Sequence, residues 1–252
     1  MSGTRWHALV LAAGRGPDDP MAKAYGVARK CLLAVGGVPM LERVIATLRG
    51  RASISRIAVS IEDEAVLEGR ADFAPSQTSA ASSALHAIRN GIVTLPLLIT
   101  TADHPLLTGA MVDHFLAAAS AADCDLAVGL ASAETILAGY PDAKRTYLTF
   151  GPDRVSGCNL FAVKNERALK ALERWQYLDT VRKKPWRLVS GFGPVALLRY
   201  LSGTLDLEKA FAIASSKLGL VAKPVLMPFA EAAIDVDKPA DKDLAEGILA
   251  KR

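Results

Sequence analysis

The 252-residue sequence is poor in cysteine, histidine and long hydrophobic runs, and each shortage excludes a class of protein. The three cysteines, Cys31, Cys124 and Cys158, are odd in number and widely spaced. This spacing excludes a disulfide framework and paired zinc ligands, and it predicts a reduced, cytoplasmic location. No apolar run approaches the roughly 20 residues of a membrane span, and the first apolar run is too short for a secretion signal. With four histidines, no Ser–His or Cys–His catalytic motif is evident.

The remaining composition indicates a folded chain with a substantial core. Hydrophobic residues make up 51% of the sequence and charged residues 22%, which argues against disorder. The net charge of +4 is too small to indicate a nucleic-acid partner, and no membrane partner is expected. The length suits one large or two small domains.

Strand-like and helical patterns alternate through the first half of the chain, which predicts an α/β fold with a parallel sheet and right-handed crossovers. Strands are predicted at His7–Ala12, Arg56–Ile61, Leu97–Thr101, Leu126–Leu130, Tyr147–Phe150, Leu160–Val163 and Ala232–Val236. Helices are predicted at Met40–Arg49, Ala80–Asn90, Gly109–Ala121, Glu166–Trp175, Val195–Leu201, Leu207–Leu218 and Lys238–Leu249. We expect a single domain over residues 1–252. Residues 150–227 are expected to cover an acceptor site and to be inserted before the last core strand.

The N-terminal segment contains the most informative pattern in the chain. The apolar run Ala8–Ala13 stops at a glycine turn, Gly14 to Gly16, and a polar loop then leads to Lys30. A buried strand that ends in a glycine turn presents unpaired backbone N–H groups at the carboxyl edge of a sheet, where a polyphosphate can bind. Lysine supplies positive charge. The pattern indicates a nucleotide-binding enzyme.

Two familiar nucleotide loops do not fit this segment. A P-loop ends in Gly-Lys-Ser/Thr, but here Pro17 follows Gly16. A dinucleotide-binding turn requires a third glycine at position 19, but this position holds aspartate. It also requires an acidic residue about 20 residues further along the chain. The first carboxylate after the second predicted strand, Glu62, lies too far along the chain.

The remaining pattern is LAAG-x-G, a loop, Lys, Leu-Leu and Gly-x-Pro-Met-Leu-x-x-Val. It resembles the MobA-like NTP transferase family, whose fold is a three-layer α/β/α, GT-A-type, Rossmann-like arrangement with a mostly parallel mixed sheet. Family members carry an Arg-Met or Lys-Met soon after the second glycine, and their lysine is about ten residues past the first. Here Lys30 follows Gly14 by sixteen residues, and Lys23 is the candidate replacement for the loop arginine. The resemblance implies catalytic roles for Lys30, Arg15 and Asp103. It implies nucleotide contacts from Leu11, Ala12, Ala13, Gly14, Arg15, Gly16, Lys23, Lys30, Ser82 and Asp103.

Two acidic segments are candidate metal ligands. Asp103 follows the buried strand Leu97–Thr101, so it lies at the carboxyl edge where ligands of parallel sheets bind. Near the C-terminus, strand alternation places Asp235 and Asp237 on one face and Val236 on the other. The resemblance implies Mg²⁺ on Asp103, with Asp237 as its first partner and Asp235 as support. Sparse carboxylates plus phosphate oxygens suit Mg²⁺ better than zinc.

Other candidates lie on the base side and the acceptor side. Ser82 is a candidate base contact by resemblance, but the same stretch equally predicts a helix start with Thr78 or Ser79 as N-cap. Gly157 and Asn159 resemble the family's acceptor-side Gly-x-Asn. The further acceptor candidates are Arg145 and Lys184, the latter in a basic cluster over residues 182–187 that otherwise suits a solvated charge run.

Together these features predict a Mg²⁺-dependent nucleotidyltransferase. It would transfer NMP from an NTP, with CTP or GTP favoured, to a small phosphorylated acceptor and release pyrophosphate. The turn from Gly14 to Gly16 and Arg15 would hold the leaving phosphates. A GT-A-like glycosyltransferase and a non-catalytic nucleotide sensor are the alternatives. The base, the acceptor and the oligomeric state stay open, a homodimer included.

Overall fold

The computed structural model describes residues 4–14, 18–178, 198, 200 and 202–252. Its strands are β1 Trp6–Leu11, β2 Ala34–Val35, β3 Val38–Pro39, β4 Ile54–Ile61, β5 Asp72–Pro75, β6 Leu97–Thr101, β7 Leu126–Ser132, β8 Leu148–Phe150, β9 Asp153–Val163 and β10 Ala222–Leu226. Its helices with described bounds are α1 Pro20–Tyr25, α2 Met40–Arg49, α3 Ala80–Arg89, α4 Gly109–Ala121, α5 Ala133–Gly139, α6 Leu169–Leu178, α7 Leu207–Leu218 and α8 Pro239–Leu249. In these described ranges, no helix is long and apolar enough to cross a membrane.

The main sheet is mixed and mostly parallel, as the sequence predicts. Its strand order within the described ranges is β10-β7-β9-β6-β1-β4-β5, and β8 pairs with β9. Strand β1 is central and lies parallel to both β4 and β6, whereas β9 runs antiparallel to β6, β7 and β8. The carboxyl ends of β6, β1 and β4 therefore meet at one edge of the sheet.

Helices cover both faces of the sheet, which gives the three layers expected. Along β1, Ala8 and Val10 point into a core built with α2 and α4. Leu9 points to the opposite face, where it packs with residues of α3 and α6. The alternation of side chains along a strand explains why β1 is apolar throughout, because both of its faces are buried. The predicted α/β class is confirmed.

The predicted last strand, Ala232–Val236, is wrong. Residues Ala230–Ala233 form a 3-10 turn, and the chain that follows makes no ladder with the sheet. The edge position belongs instead to β10, which pairs in parallel with β7. Because β9 and β10 are both strands of the main sheet, residues 150–227 are not inserted before a last core strand, although their acceptor-side role stays a proposal.

A short hairpin positions the segment that carries Lys30. Strands β2 and β3 are joined by Gly36 and Gly37, whose φ angles of 58° and 76° suit glycine. Arg43 of α2 donates to the carbonyl of Gly36 at 2.9 Å and holds the turn against the helix. A Cβ on Gly36 would lie 2.9 Å from this guanidinium. The hairpin thus anchors the preceding 3-10 turn, Lys30–Leu32, to the core.

Candidate functional site

The ammonium of Lys30 joins two distant acidic residues at the carboxyl edge of the sheet. Its Nζ lies 2.7 Å from Oδ2 of Asp103 and 2.6 Å from Oδ1 of Asp237. The Lys30 side chain is only 16% exposed, whereas the Asp237 side chain is 67% exposed. The structure therefore brings together the three residues that the sequence predicts to share one ligand, and the cluster opens to solvent on the Asp237 side.

Backbone contacts explain how Asp237 reaches Asp103. The N–H of Val236 donates to the carbonyl of Asp103 at 2.9 Å, so the C-terminal segment lies along the turn after β6. Ile234 and Val236 are fully buried, which turns Asp235 and Asp237 to the other side of the segment. The alternation predicted from the sequence therefore holds even though the segment is not a strand.

The cluster keeps Lys30 charged. Burial by itself lowers the pKa of Lys30, but the adjacent carboxylates of Asp103 and Asp237 outweigh burial and raise this pKa above its ordinary value. The ammonium's contribution to stability is thus fully present at neutral pH and is lost only as the pH rises through the raised pKa. Lys30 can act here as a fixed cation, and it is unsuited to act as a base.

The carboxylates fit a magnesium ion. Oδ1 of Asp103 is buried and makes no hydrogen bond within the described part of the chain. Among the described residues, no group of three or more His, Cys, Asp or Glu side chains could hold a metal. Mg²⁺ is commonly bound by one or two carboxylates together with substrate phosphates, so Asp103 and Asp237 are a sufficient protein donor set.

Asp235 has different partners from those expected. One carboxylate oxygen accepts from Nη2 of Arg145, and the other accepts from Nδ2 of Asn159 at 3.1 Å. Arg145 also lies 3.7 Å from Asp241 in the first turn of α8. Both oxygens of Asp235 are therefore engaged by neighbouring side chains, and its role as a supporting metal ligand stays a prediction.

A bulge in β9 presents the acceptor-side candidates. Opposite Gly129 of β7, the pairing passes from Phe161 to Gly157, so β9 has extra residues there. Asn159 lies in this bulge with a left-handed φ of 51°, which directs its amide to Asp235. Gly157 is exposed, and no atom lies within 4 Å of where its Cβ would be.

Two residues that the sequence analysis did not select lie beside the glycine turn. The backbone N–H of Gly14 donates to Oε1 of Glu62 at 2.9 Å. The other oxygen of Glu62 accepts from Nη1 of Arg29 at 2.6 Å. Glu62 directly follows β4, so the strand-end rule that selects Asp103 also selects Glu62. The sequence analysis considers Glu62 only as the acidic residue of a dinucleotide-binding turn, for which it lies too far along the chain.

Ser82 lies in the first turn of α3 and forms a capping box with Ser79. The hydroxyl of Ser79 accepts from the Ser82 N–H at 3.1 Å, and the Ser82 hydroxyl accepts from the Ser79 N–H at 2.9 Å. Two otherwise unsatisfied backbone donors are thereby paired. Of the two interpretations that the sequence left open, this geometry favours capping.

We expect Ser79→Ala to lower the free energy of unfolding by about 1 kcal/mol, because the helix loses its N-cap acceptor. Ser82→Ala should also destabilise the protein, and the double variant should cost less than the sum because the two hydroxyls share one box. Urea denaturation measures all three. Ser216→Ala, on an exposed position of α7, is the control and should not lower the stability, because alanine is the better helix former. If the KM for NTP rises in Ser82→Ala but not in Ser79→Ala, the result would favour the interpretation of Ser82 as a base contact.

The remaining candidates divide into described and undescribed residues. Lys23 of α1 is exposed and pairs with Asp18 at 2.8 Å, so its role as a replacement for the loop arginine stays a prediction. Leu11 ends β1, and Ala12 continues its pairing by donating to the carbonyl of Ser60. Ala13 and Gly14 are exposed. Arg15, Gly16, Lys184 and the predicted helix at Val195–Leu201 lie wholly or largely outside the described residues.

Comparison with solved structures supports the fold. A hypothetical transferase from Thermus thermophilus is 28% identical with a TM-score of 0.80, over 95% of this chain and 100% of that chain. A 2-C-methyl-D-erythritol 4-phosphate cytidylyltransferase, also from Thermus thermophilus, is 17% identical with a TM-score of 0.55, over 98% and 100%. A CMP:2-keto-3-deoxy-manno-octonic acid synthetase complexed with CTP is 14% identical with a TM-score of 0.58, over 99% of each chain. The last two show a shared fold alone.

Sequence comparison identifies the family. A search of curated proteins finds no match. The profile of the MobA-like NTP transferase domain, however, matches residues 8–188, from the middle of β1 through the acceptor-side candidates. This range is well over half of the chain and includes Lys30 and Asp103. The chain therefore belongs to the MobA-like NTP transferase family and is a nucleotidyltransferase.

Proposed function

We propose that this nucleotidyltransferase moves a nucleoside monophosphate from an NTP to a small phosphorylated acceptor, with Mg²⁺ bound and pyrophosphate released. The observation that carries the proposal is the Lys30 ammonium held between Asp103 and Asp237 at the carboxyl edge of the sheet. Gly14 follows β1, the neighbour of β6, so its backbone lies at the same edge. The contact of Lys30 with both Asp103 and Asp237 favours an enzyme over a non-catalytic sensor.

The reaction requires neutralised charge and correct positioning more than it requires proton transfer. A phosphorylated acceptor offers an oxygen that is already ionised near neutral pH, so attack at the α-phosphorus needs no general base. Lys30, which stays protonated, would stabilise negative charge that builds on the phosphoryl oxygens. Asp103 and Asp237 would hold Mg²⁺, which supplies further charge neutralisation when bound. The backbone at Gly14 would orient the leaving phosphates.

The acceptor is proposed to bind beside Asp235, on the β9 side of the cluster. Arg145 and Asn159 both contact Asp235. Gly157, which lies on β9 with Asn159, leaves open space beside them. A guanidinium and an amide are suitable donors for a phosphorylated small molecule. Lys184 stays a candidate on sequence grounds alone.

CTP and GTP are the proposed donors. CTP is supported by the names of the cytidylyltransferase and of the CTP-bound synthetase that share the fold. GTP stays a candidate from the sequence resemblance to the MobA-like NTP transferase family alone. The family match is to an NTP transferase domain, so the glycosyltransferase alternative is not favoured.

A thermal-shift panel of ATP, GTP, CTP and UTP, each with Mg²⁺, tests this proposal. A donor at 100 times its Kd stabilises the folded state by about 2.7 kcal/mol. For a chain of this size that free energy corresponds to a rise of roughly 5–10 °C in Tm. We expect the largest shift with CTP or GTP, and that NTP should then support pyrophosphate release with phosphorylated acceptors. No shift with any of the four NTPs would contradict the proposal.

A further inference from the structure

The carboxylate of Glu62, which is exposed, accepts hydrogen bonds from two donors of the kind that bind phosphate groups. Glu62 accepts from the backbone N–H of Gly14 through one oxygen and from the guanidinium of Arg29 through the other, at 2.9 and 2.6 Å. A glycine-turn N–H and an arginine are both recurrent phosphate donors in proteins. Arg29 also lies 3.7 Å from Asp63. Glu62 therefore sits at a pair of anion donors directly beside the glycine turn.

Arg29 and Lys30 are consecutive but reach opposite sides of β1. Arg29 has an extended backbone, with φ of −148°, and its side chain reaches Glu62 at the end of β4. Lys30 begins the 3-10 turn, and its side chain reaches Asp103 after β6. Because β1 lies between β4 and β6, the carboxyl end of β1 has one cation on each side. A polyphosphate that crosses the end of β1 would meet both cations.

We infer that Arg29 and the Gly14 N–H form the second half of the polyphosphate site and that Glu62 occupies it as an internal competitor. This inference rests on the proposed function. A carboxylate and a phosphate oxygen require the same donors, and two anions placed side by side repel each other. The nucleotide must therefore displace Glu62.

If Glu62 competes with phosphate, substitutions of Glu62 and of Arg29 should change the affinity for triphosphate in opposite directions. When a group of the protein blocks a site, the apparent Kd equals the intrinsic Kd divided by the fraction of molecules in which the site is open. Glu62→Gln keeps an oxygen for the Gly14 N–H but removes the charge, so we expect about five- to ten-fold tighter binding of inorganic triphosphate. Arg29→Gln removes a charge-assisted donor, so we expect about ten- to one-hundred-fold weaker binding.

Titration calorimetry on the full chain, with Mg²⁺ and either inorganic triphosphate or CTP, measures these changes. Glu64→Gln is the matched control, because it removes the same charge from an exposed side chain two residues further on. The Kd of this variant for triphosphate should equal that of the wild type. The double variant Arg29→Gln, Glu62→Gln should bind more weakly than Glu62→Gln alone if Arg29 contacts the phosphates directly. Thermal melting of each variant checks that the fold is intact.

The outcomes separate this inference from the function on which it rests. If wild type binds triphosphate but Glu62→Gln binds equally or more weakly, then Glu62 is not a competitor and the inference is wrong. Equal binding by Arg29→Gln and wild type would also overturn it. In both cases the proposed nucleotidyl transfer stands. Binding of neither probe by any of the variants would contradict the inference and the proposed function together.

Discussion

Lys30→Met is expected to lower the turnover number for pyrophosphate release by about 10²- to 10³-fold, the usual cost of losing one group that stabilises transition-state charge. Methionine retains an unbranched apolar stem in a side-chain position that is 16% exposed, so the packing around the turn should persist. What disappears is the charge 2.7 Å from Asp103 and 2.6 Å from Asp237. The effect should appear mainly in kcat, because charge builds on the phosphoryl oxygens during transfer.

The control for this variant is Lys223→Met, which removes the same charge from an exposed position on the edge strand β10. It should retain wild-type turnover. Circular dichroism and thermal melting of both variants test whether the fold is intact. If Lys30→Met turns over within ten-fold of wild type while it remains folded, Lys30 does not stabilise the transferring group.

Asp103→Asn is expected to lower turnover by a similar factor, about 10²- to 10³-fold, with a distinctive dependence on Mg²⁺. The amide keeps the shape of the carboxylate but binds Mg²⁺ less well and no longer forms an ion pair with Lys30. The backbone carbonyl of Asp103, which holds Val236, is unchanged, so the C-terminal segment should stay in place. The Mg²⁺ concentration for half-maximal activity should therefore rise together with the fall in kcat.

Asp113→Asn is the matched control for Asp103→Asn. Asp113 is exposed on α4 and pairs with Arg51 at 2.8 Å, away from the cluster. Its loss should leave both kcat and the Mg²⁺ dependence as in wild type, because exposed ion pairs contribute little. An Asp103→Asn enzyme with unchanged turnover and an unchanged Mg²⁺ requirement would exclude Asp103 as a metal ligand.

Local sequence patterns predicted most of the elements that carry the site. The bounds of α2, α4 and β6 match the structure residue for residue, because apolar spacing and Thr108 as an N-cap are short-range signals. The same local logic failed at Ala232–Val236, where a 3-10 turn is followed from Ile234 by a short segment whose alternating burial resembles that of a strand. Periodicity reports which side chains are buried, and it does not report whether a neighbouring strand completes the hydrogen bonds.

The candidate site was predictable where a strand end and a family motif agreed. Asp103 and Lys30 meet both conditions, and they are in contact. Glu62 meets only the strand-end condition and Arg29 meets neither, so both were missed. Asp235 met the motif condition, but its engagement with Arg145 depends on a contact between segments 90 residues apart. No spacing rule predicts such a contact.

The sequence by itself determined the class of fold, the glycine turn after β1 and the acids that follow its neighbours, because each depends on residues close together in the chain. Tertiary structure alone decided which acids meet which cations. The order β6-β1-β4 places Asp103 and Glu62 on opposite sides of the carboxyl end of β1, and the consecutive cations Arg29 and Lys30 divide between them. Charges interact through space over a few ångströms, so their pairing follows from how the strands are arranged and cannot be obtained from their order in the chain.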